Sequence, residues 1–167
     1  MTNIEHFKAI TEQMAQIYEK KNHDYGDSFT QSLNKFGIVA AIVRMEDKRN
    51  RLESLIDKKQ MVNDESIIDT LTDLANYSIM TAAWVYEKPY KELLDAFISM
   101  YDAFCNDVED VFEGGVERAN VIFQESFEVL ENTLKKELPK YIVSGSLIGI
   151  AYTSIALRIK AEKEAWC

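Results

Sequence analysis

Long stretches with helical periodicity, separated by very few glycine and proline residues, constrain this chain most. Only 2 Pro and 6 Gly occur among its 167 residues. Between them apolar residues recur at spacings of three and four, as in Ile4, Phe7, Ile10, Met14 and Ile17, which is the period of one helix face. No segment alternates apolar and polar residues as a half-buried strand does. The sequence therefore predicts an all-α fold, a helical bundle of about five to six helices.

Capping and helix-breaking residues predict where these helices begin and end. Asn63 or Asp64 is a candidate N-cap, Pro89 stops the helix before it, and Gly114 with Gly115 ends the next one. The predicted helices are Thr2–Lys21, Gln31–Lys59, Glu65–Glu87, Tyr90–Phe112, Val116–Leu138 and Tyr141–Trp166, with a loop over Asn22–Thr30.

The two halves of the chain carry different amounts of functional information. Residues 1–88 are predicted to form a helical core that holds the groups able to do chemistry. Residues 89–167 form a C-terminal helical extension without a readable motif. The extension is interpreted as a lid, a dimerisation arm or a partner-binding part of the same bundle.

Composition excludes several classes of protein. The formal net charge is −9 and the pI is near 4.8, which argues against direct binding of duplex nucleic acid, because that needs clustered Lys and Arg. Cys105 and Cys167 are the only cysteines, too few for a disulfide scaffold, and they favour a reducing compartment. The N-terminal residues lack the features of a signal peptide. A cytoplasmic location is expected, in the host cytoplasm if a phage encodes the protein.

Two apolar stretches raise the questions of membrane insertion and self-association. Tyr141–Leu157 contains no charged residue but is only 17 residues long and carries several Ser and Thr, so a buried core or interface helix is favoured over a membrane span. Gly145 and Gly149, four apart, permit close helix packing. Phe36–Val43 is apolar on all sides and is predicted to be buried on all sides. Together these stretches predict a homo-oligomer, with a dimer favoured, and no membrane contact.

An acidic stripe runs along the third predicted helix. Glu65, Asp69 and Asp73 are each four residues apart, so their carboxylates lie along one line. A solvated helix face is one interpretation. However, no Lys or Arg occurs between Glu65 and Glu87, and aligned carboxylates without a counter-charge are what a hard divalent ion such as Mg²⁺ prefers.

The second predicted helix ends in a charged segment, RMEDKRNRL. Arg44, Asp47, Lys48 and Arg51 share one face of it. This face is either an exposed, salt-bridged helix end or a cationic patch that faces the acidic stripe. Because Arg binds phosphate bidentately, the second interpretation places metal and phosphate together, as in the binding of a triphosphate.

Three sequence blocks occur in a distinctive order: DYGDSF, then RMEDKRNRL, then DESIIDTLTDLANYSIM. Together they resemble the nucleotide modification associated domain 1 family, a domain of phages and bacteria, over about residues 20–82. That family is a domain of unknown function.

The helix arrangement also resembles that of the MazG-type all-α nucleoside triphosphate pyrophosphohydrolases. Those enzymes carry E-E-x-x-E on one helix and E-x-x-D on the next; the acidic residues bind Mg²⁺, and water attacks the nucleotide to release pyrophosphate. The resemblance places Glu46 and Asp47 at the first pair and Asp73 at the final aspartate. Asn50 and Thr70 stand where two glutamates would be.

These patterns define a candidate site. The predicted metal ligands, for Mg²⁺, are Asp47, Glu65, Asp69 and Asp73, of which Asp47, Asp69 and Asp73 are also the predicted catalytic residues. The predicted substrate contacts are Tyr25, Asp27, Arg44, Lys48, Arg51 and Asn76. In the loop, Tyr25 is expected to stack on a base and Gly26 to permit a tight turn, while Asp24 or Asp27 caps the next helix or joins the metal shell.

The leading functional hypothesis is Mg²⁺-dependent hydrolysis of a nucleoside triphosphate, modified or unmodified, to its monophosphate and pyrophosphate. One alternative is a non-catalytic protein that binds or sequesters a nucleotide, which in a phage would counter host defence. Another is a helical protein-interaction module that uses the apolar C-terminal half.

Overall fold

Seven α-helices and no strand make up the residues that the computed structural model describes, which are 2–56 and 66–164, with the backbone alone at 3, 56 and 102–112. The helices are α1 (Asn3–Tyr25), α2 (Ser28–Phe36), α3 (Val39–Ile56), α4 (Ile67–Tyr86), α5 (Tyr90–Ser99), α6 (Tyr101–Asn132) and α7 (Lys140–Glu164). The predicted all-α class is confirmed. The helix count is slightly higher than predicted, because one predicted helix is split in two and two others are divided differently.

The predicted second helix is two helices. Gly37 follows α2 with φ +67° and ψ −161°, a conformation that residues with a side chain rarely adopt. Continuous apolar residues on both sides of Gly37 hid this break in the sequence. The predicted end of that helix at Lys59 lies outside the described residues.

The break predicted at Gly114 and Gly115 is confirmed. Gly115 has φ +59° and ψ −141° and interrupts the helical dihedral angles inside α6, at a position where only glycine avoids steric strain. A further break, at Met100 between α5 and α6, carries no glycine or proline and was not predicted.

The segment between the first two helices is much shorter than the predicted loop over Asn22–Thr30. α1 continues to Tyr25, and only Gly26 and Asp27 connect it to α2, both with left-handed dihedral angles (φ +59° and +56°). The predicted tight turn at Gly26 is therefore present. Asp27 occupies the N-cap position of α2, but its side chain makes no capping hydrogen bond, so the predicted capping role of Asp27 is wrong.

The N-terminus of α4 is capped by Ser66, while the predicted cap residues Asn63 and Asp64 lie outside the described residues. The Ser66 Oγ accepts a hydrogen bond from the Asp69 backbone N–H at 3.1 Å, and the Ser66 backbone N–H donates to Asp69 Oδ2 at 3.0 Å. This reciprocal pair is a capping box. The spacing Ser-x-x-Asp was visible in the sequence, but Asp69 was assigned to the metal instead.

One hydrophobic core joins both halves of the chain. Phe7 of α1 packs on Phe97, Tyr101 and Tyr152, with ring centroids 5.5, 4.5 and 5.6 Å apart. Complete burial of such a side chain contributes about 1.5–3 kcal/mol. Residues 89–167 are therefore packed into the same bundle as residues 1–88, and α7 lies against both α4 and α6.

The helix α7 is a core helix of this bundle. By length and composition it is the one helix in the described part of the chain that could cross a membrane, and 72% of its most apolar window is buried among other helices. Gly149 lies so close to α6 that an added Cβ would be 3.3 Å from the Ser126 Oγ, whereas Gly145 has open space beside it. Of the two glycines, Gly149 permits the predicted close helix packing.

The apolar stretch Phe36–Val43 is buried on one side only. Ala41 and Ile42 are buried, but Phe36 is 59% exposed, Val39 37% and Val43 55%. The prediction that this stretch is buried on all sides is wrong in the isolated chain. The exposed residues Phe36, Val39 and Val43 are called the α2–α3 apolar patch below.

Candidate functional site

A cavity of about 480 Å³ lies where α1, α2, α3 and α4 meet. It is lined by Ile17, Tyr18, Lys21, Asn22, Tyr25, Asp27, Ser28, Phe29, Arg44, Asp73, Asn76, Tyr77 and Met80. Its volume is within the range of small-molecule sites. Tyr18, Asp27 and Met80 also line a second cavity, of about 730 Å³, so they form a wall between the two.

Aromatic side chains form much of the cavity wall. Tyr18 stacks on Tyr90 with ring centroids 3.9 Å apart and an interplanar angle of 12°. Phe29 and Tyr77 are in contact at 4.9 Å. Tyr25 is 69% exposed and stands at the mouth. Exposed and partly exposed aromatic faces of this kind can stack on a planar ligand.

Two lysines from neighbouring helices converge on one carboxylate. Lys21 Nζ of α1 lies 2.6 Å from Asp73 Oδ1, and Lys48 Nζ of α3 lies 3.0 Å from Asp73 Oδ2. The side chain of Asp73 is 15% exposed. The Asp73 carboxylate of the acidic stripe thus has counter-charges that its own helix lacks. Helical periodicity within α4 could not show charges supplied by α1 and α3.

The cationic face of α3 does lie against α4. Besides the Lys48 contact, Arg51 Nε donates a hydrogen bond to Thr70 Oγ1 at 3.2 Å. Arg44 lines the cavity, is exposed, and makes no ion pair within the described residues. Glu46 instead pairs with Arg49 on another face of α3, and the Arg49 guanidinium lies over the Phe127 ring at 5.5 Å.

Asp69 acts in the structure of α4 and does not line the cavity. Its carboxylate accepts hydrogen bonds from the Ser66 N–H and from the Ser66 hydroxyl, the latter at 2.8 Å. Burial alone would raise the pKa of Asp69, but these hydrogen bonds and the charges of Arg158 and Lys21 outweigh it, so the pKa lies below its ordinary value. This arrangement stabilises the charged capping carboxylate.

The Asn76 side chain is buried in the cavity wall, and only its oxygen has a hydrogen-bond partner in the described part of the chain. Its Oδ1 accepts a hydrogen bond of 2.5 Å from the Tyr90 hydroxyl. Burial, and secondarily the neighbouring Tyr18, raise the pKa of Tyr90, so Tyr90 stays a neutral donor. The Asn76 amide nitrogen has no hydrogen-bond partner among the described residues, which leaves its N–H groups for a ligand.

The predicted metal ligands are not brought together as a set. Asp73 is neutralised by two ammonium groups, Asp69 caps α4, and Asp47 is exposed outside the cavity. No group of three or more His, Cys, Asp or Glu suited to a metal occurs in the described residues, and Glu65 lies outside them. As arranged, these side chains do not fit a resident Mg²⁺, because an ion would have to displace a lysine from Asp73. Mg²⁺ binding stays a prediction.

Of the other predicted contacts, Tyr25, Asp27, Arg44 and Asn76 line the cavity, while Lys48 borders it through Asp73. Sequence reasoning missed the lining residues Tyr18, Lys21, Phe29, Tyr77 and Met80. Lys21 lies one helical turn before Tyr25, and Tyr77 one turn after Asp73. Extension of α1 through the DYGDSF block would have identified Lys21.

The cavity coincides with a recognised family segment. Residues 21–83 match the model of a family described as nucleotide modification associated domain 1, and they include all lining residues except Ile17 and Tyr18. This match confirms the resemblance seen in the three sequence blocks. The similarity to MazG-type enzymes stays a prediction. No curated protein and no solved structure matched the chain.

Proposed function

We propose that this protein binds a nucleotide in the cavity between α1, α2, α3 and α4. The observation that carries the proposal is the combination, in one cavity, of aromatic faces with cationic side chains. A nucleotide needs both, since its base is planar and its phosphates are anionic. The family segment that contains the cavity supports the same class of ligand.

The base would stack on Tyr25 and reach the polar groups in the cavity wall. Tyr25 is preferred as the stacking partner because it is exposed at the mouth, whereas the face of Tyr18 is already covered by Tyr90 at 3.9 Å. Stacking of a base on an aromatic side chain contributes about 1–3 kcal/mol.

The phosphates would bind to Arg44 and compete with Asp73 for Lys21. Arg44 carries no ion pair within the described residues, so it can form bidentate hydrogen bonds to phosphate without losing another contact. The side chain of Lys21 is 53% exposed and remains accessible to an anion. Lys48 is 19% exposed and would act mainly by holding Asp73 in place.

Binding without hydrolysis is the function that the geometry supports best. The three carboxylates predicted to be catalytic have different environments. Asp73 forms two ion pairs, Asp69 is part of the α4 capping box, and Asp47 is exposed to solvent. A second, more specific proposal is the Mg²⁺-dependent hydrolysis of a nucleoside triphosphate to its monophosphate and pyrophosphate. It would require the Asp73 carboxylate to give up its ion pair with Lys21 or Lys48 in favour of Mg²⁺.

The test is an equilibrium binding measurement with a panel of nucleoside triphosphates, with and without Mg²⁺, in which pyrophosphate release is followed in the same samples. Tyr25→Ala and Arg44→Gln should each weaken binding at least about fivefold, roughly 1 kcal/mol. Lys35→Gln is the matched control, because Lys35 is exposed on α2, stacks on Phe36 and does not line the cavity. Unchanged affinity in both cavity variants would contradict the proposed site, and pyrophosphate release would support the hydrolytic proposal.

A further inference from the structure

Asp27 holds an unpaired carboxylate in the wall of the cavity. Its Oδ1 is buried and has no hydrogen-bond partner among the described residues. Burial of an unpaired carboxylate oxygen costs free energy, because its hydration is lost without replacement. Asp27 also has a left-handed backbone, with φ +56°, a conformation that Asp and Asn adopt more readily than other residues with a side chain. The unfavourable feature of this residue is therefore its unpaired carboxylate oxygen.

The turn itself does not require this carboxylate. The Gln31 side chain donates a hydrogen bond from Nε2 to the Gly26 carbonyl at 2.8 Å, and the Gln31 backbone N–H donates to the Asp27 carbonyl at 3.1 Å. The Asp27 side chain makes no capping bond to α2. The two hydrogen bonds of Gln31 hold the turn together, so the turn does not need the Asp27 carboxylate.

The groups around Asp27 form a donor–acceptor pair for a ligand. Tyr18 and Asp27 both line the cavity, so the carboxylate stands at its aromatic wall. Asn76 offers amide N–H donors to the same cavity, since its oxygen is occupied by Tyr90. The wall thus presents an anionic acceptor and a neutral donor next to an aromatic surface.

We propose that Asp27 determines base specificity and that the base is guanine. This inference rests on the proposed nucleotide binding. Guanine presents two adjacent N–H donors, at N1 and N2, which match the two oxygens of one carboxylate. For this pairing the Asp27 side chain rotates so that its buried Oδ1 faces the cavity. Adenine and cytosine present a single amino group beside a ring nitrogen that a carboxylate repels, and thymine and uracil present one N–H between two carbonyls. The Asn76 amide is then the donor available to the guanine carbonyl O6.

The test compares ligands that differ at one group. Inosine triphosphate lacks the 2-amino group of guanosine triphosphate, so the wild-type protein should bind it at least about tenfold more weakly, roughly 1.4 kcal/mol. Asp27→Asn should lose most of this preference and should gain affinity for xanthosine triphosphate, which carries a carbonyl at position 2 that an amide can donate to. Asn adopts left-handed dihedral angles readily, so the turn should be retained.

Asp24→Asn is the matched control. Asp24 is exposed, lies three residues before Asp27 near the end of α1, and its carboxylate is 3.1 Å from the His23 ring. It does not line the cavity, so the Asp24→Asn variant should keep the preference for guanosine triphosphate. Equal wild-type affinity for guanosine and inosine triphosphates would overturn the inference while leaving nucleotide binding intact. Absence of binding to every nucleotide would overturn the proposed function as well. The ligand comparison needs only the wild-type protein, so it remains decisive if Asp27→Asn does not fold.

Discussion

Two polar clusters bridge helices in this molecule, and they differ in how completely their groups are paired. In the closed cluster, the buried Arg158 of α7 donates hydrogen bonds to Thr72 Oγ1 at 2.8 Å, to Glu162 Oε1 at 2.9 Å and to the Gln13 side chain. In the open cluster around the cavity, Asp27 Oδ1 and the Asn76 amide nitrogen have no partner within the described residues.

The difference separates stability from binding. A buried group with all its partners inside the protein stabilises the fold and has nothing left for a ligand. A group without an internal partner lowers stability and gains one only when a ligand binds. We therefore infer that the closed cluster stabilises the helical bundle and that the open cluster binds the ligand.

The largest effect is expected from removal of the centre of the closed cluster. Arg158→Ala deletes a side chain that is 7% exposed, together with its bonds to α1 and α4, and should lower the free energy of unfolding by about 2–4 kcal/mol. Urea denaturation measures this. Lys163→Ala, on an exposed position of the same helix, should change it by less than about 0.5 kcal/mol. A loss below 1 kcal/mol for Arg158→Ala would remove the distinction between the clusters.

Asp73→Asn should have an intermediate effect on stability. It distinguishes Asp73 as an ion-pair partner of two lysines from Asp73 as a metal ligand. It leaves Lys21 and Lys48 without their shared carboxylate, so the free energy of unfolding should fall by about 1–2 kcal/mol. Nucleotide affinity without Mg²⁺ should be maintained or increased, because the lysines become available to phosphate. The metal-ligand hypothesis instead expects unchanged or higher stability and a loss of Mg²⁺-dependent binding of at least about tenfold.

The helix cap gives a smaller and pH-dependent effect. The pKa of Asp69 in the folded protein is below its ordinary value of 3.8, so its contribution to stability is present above that pH and is lost as the pH falls through the folded pKa. Asp69→Asn should lower the free energy of unfolding by about 1 kcal/mol at pH 7. In a series of acid denaturation measurements, the difference in free energy of unfolding between wild type and Asp69→Asn should decrease below pH 4. A difference that stays constant down to pH 2 would exclude a stabilising role for the charged Asp69 carboxylate.

The smallest effect on stability is expected in the α2–α3 apolar patch. We retain the proposal of a homodimer, which the exposed Phe36, Val39 and Val43 support. Val43→Asp should leave the free energy of unfolding of the monomer within about 0.5 kcal/mol and shift light scattering from dimer to monomer. Lys8→Asp, on an exposed position of α1 outside the patch, is the charge-altering control. A wild-type protein that is monomeric at micromolar concentration would contradict the dimer.

The sequence predicted the fold well where a local signal determined it. Helix periodicity and the breaks at Pro89 and Gly115 were sufficient for the class and for most boundaries. The break at Gly37 was missed because a run of apolar residues does not show where one buried helix ends and another begins. The end of α1 was missed because Tyr25 belongs to a block rich in turn residues.

Four of the six predicted substrate contacts line the cavity: Tyr25, Asp27, Arg44 and Asn76. Their contact with a substrate stays a prediction. The ion pair of Asp73 with Lys48 agrees with the interpretation of the α3 face as a cationic patch that faces the acidic stripe. The ion pair with Lys21 of α1 was missed, because a helical wheel shows neighbours on one helix and not charges contributed by another. The unpaired state of Asp27 is likewise visible only once the bonds made by Gln31 are known.

The central claim is that the open cluster, and not the apolar C-terminal half, receives the ligand. The most direct measurement is an amide NMR titration of the ¹⁵N-labelled protein with guanosine triphosphate. Saturable chemical-shift changes should be largest at residues 21–29, at Arg44 and at residues 73–77, which border the cavity. Saturable changes centred on α5–α7, or no saturable change at millimolar nucleotide, would contradict the account.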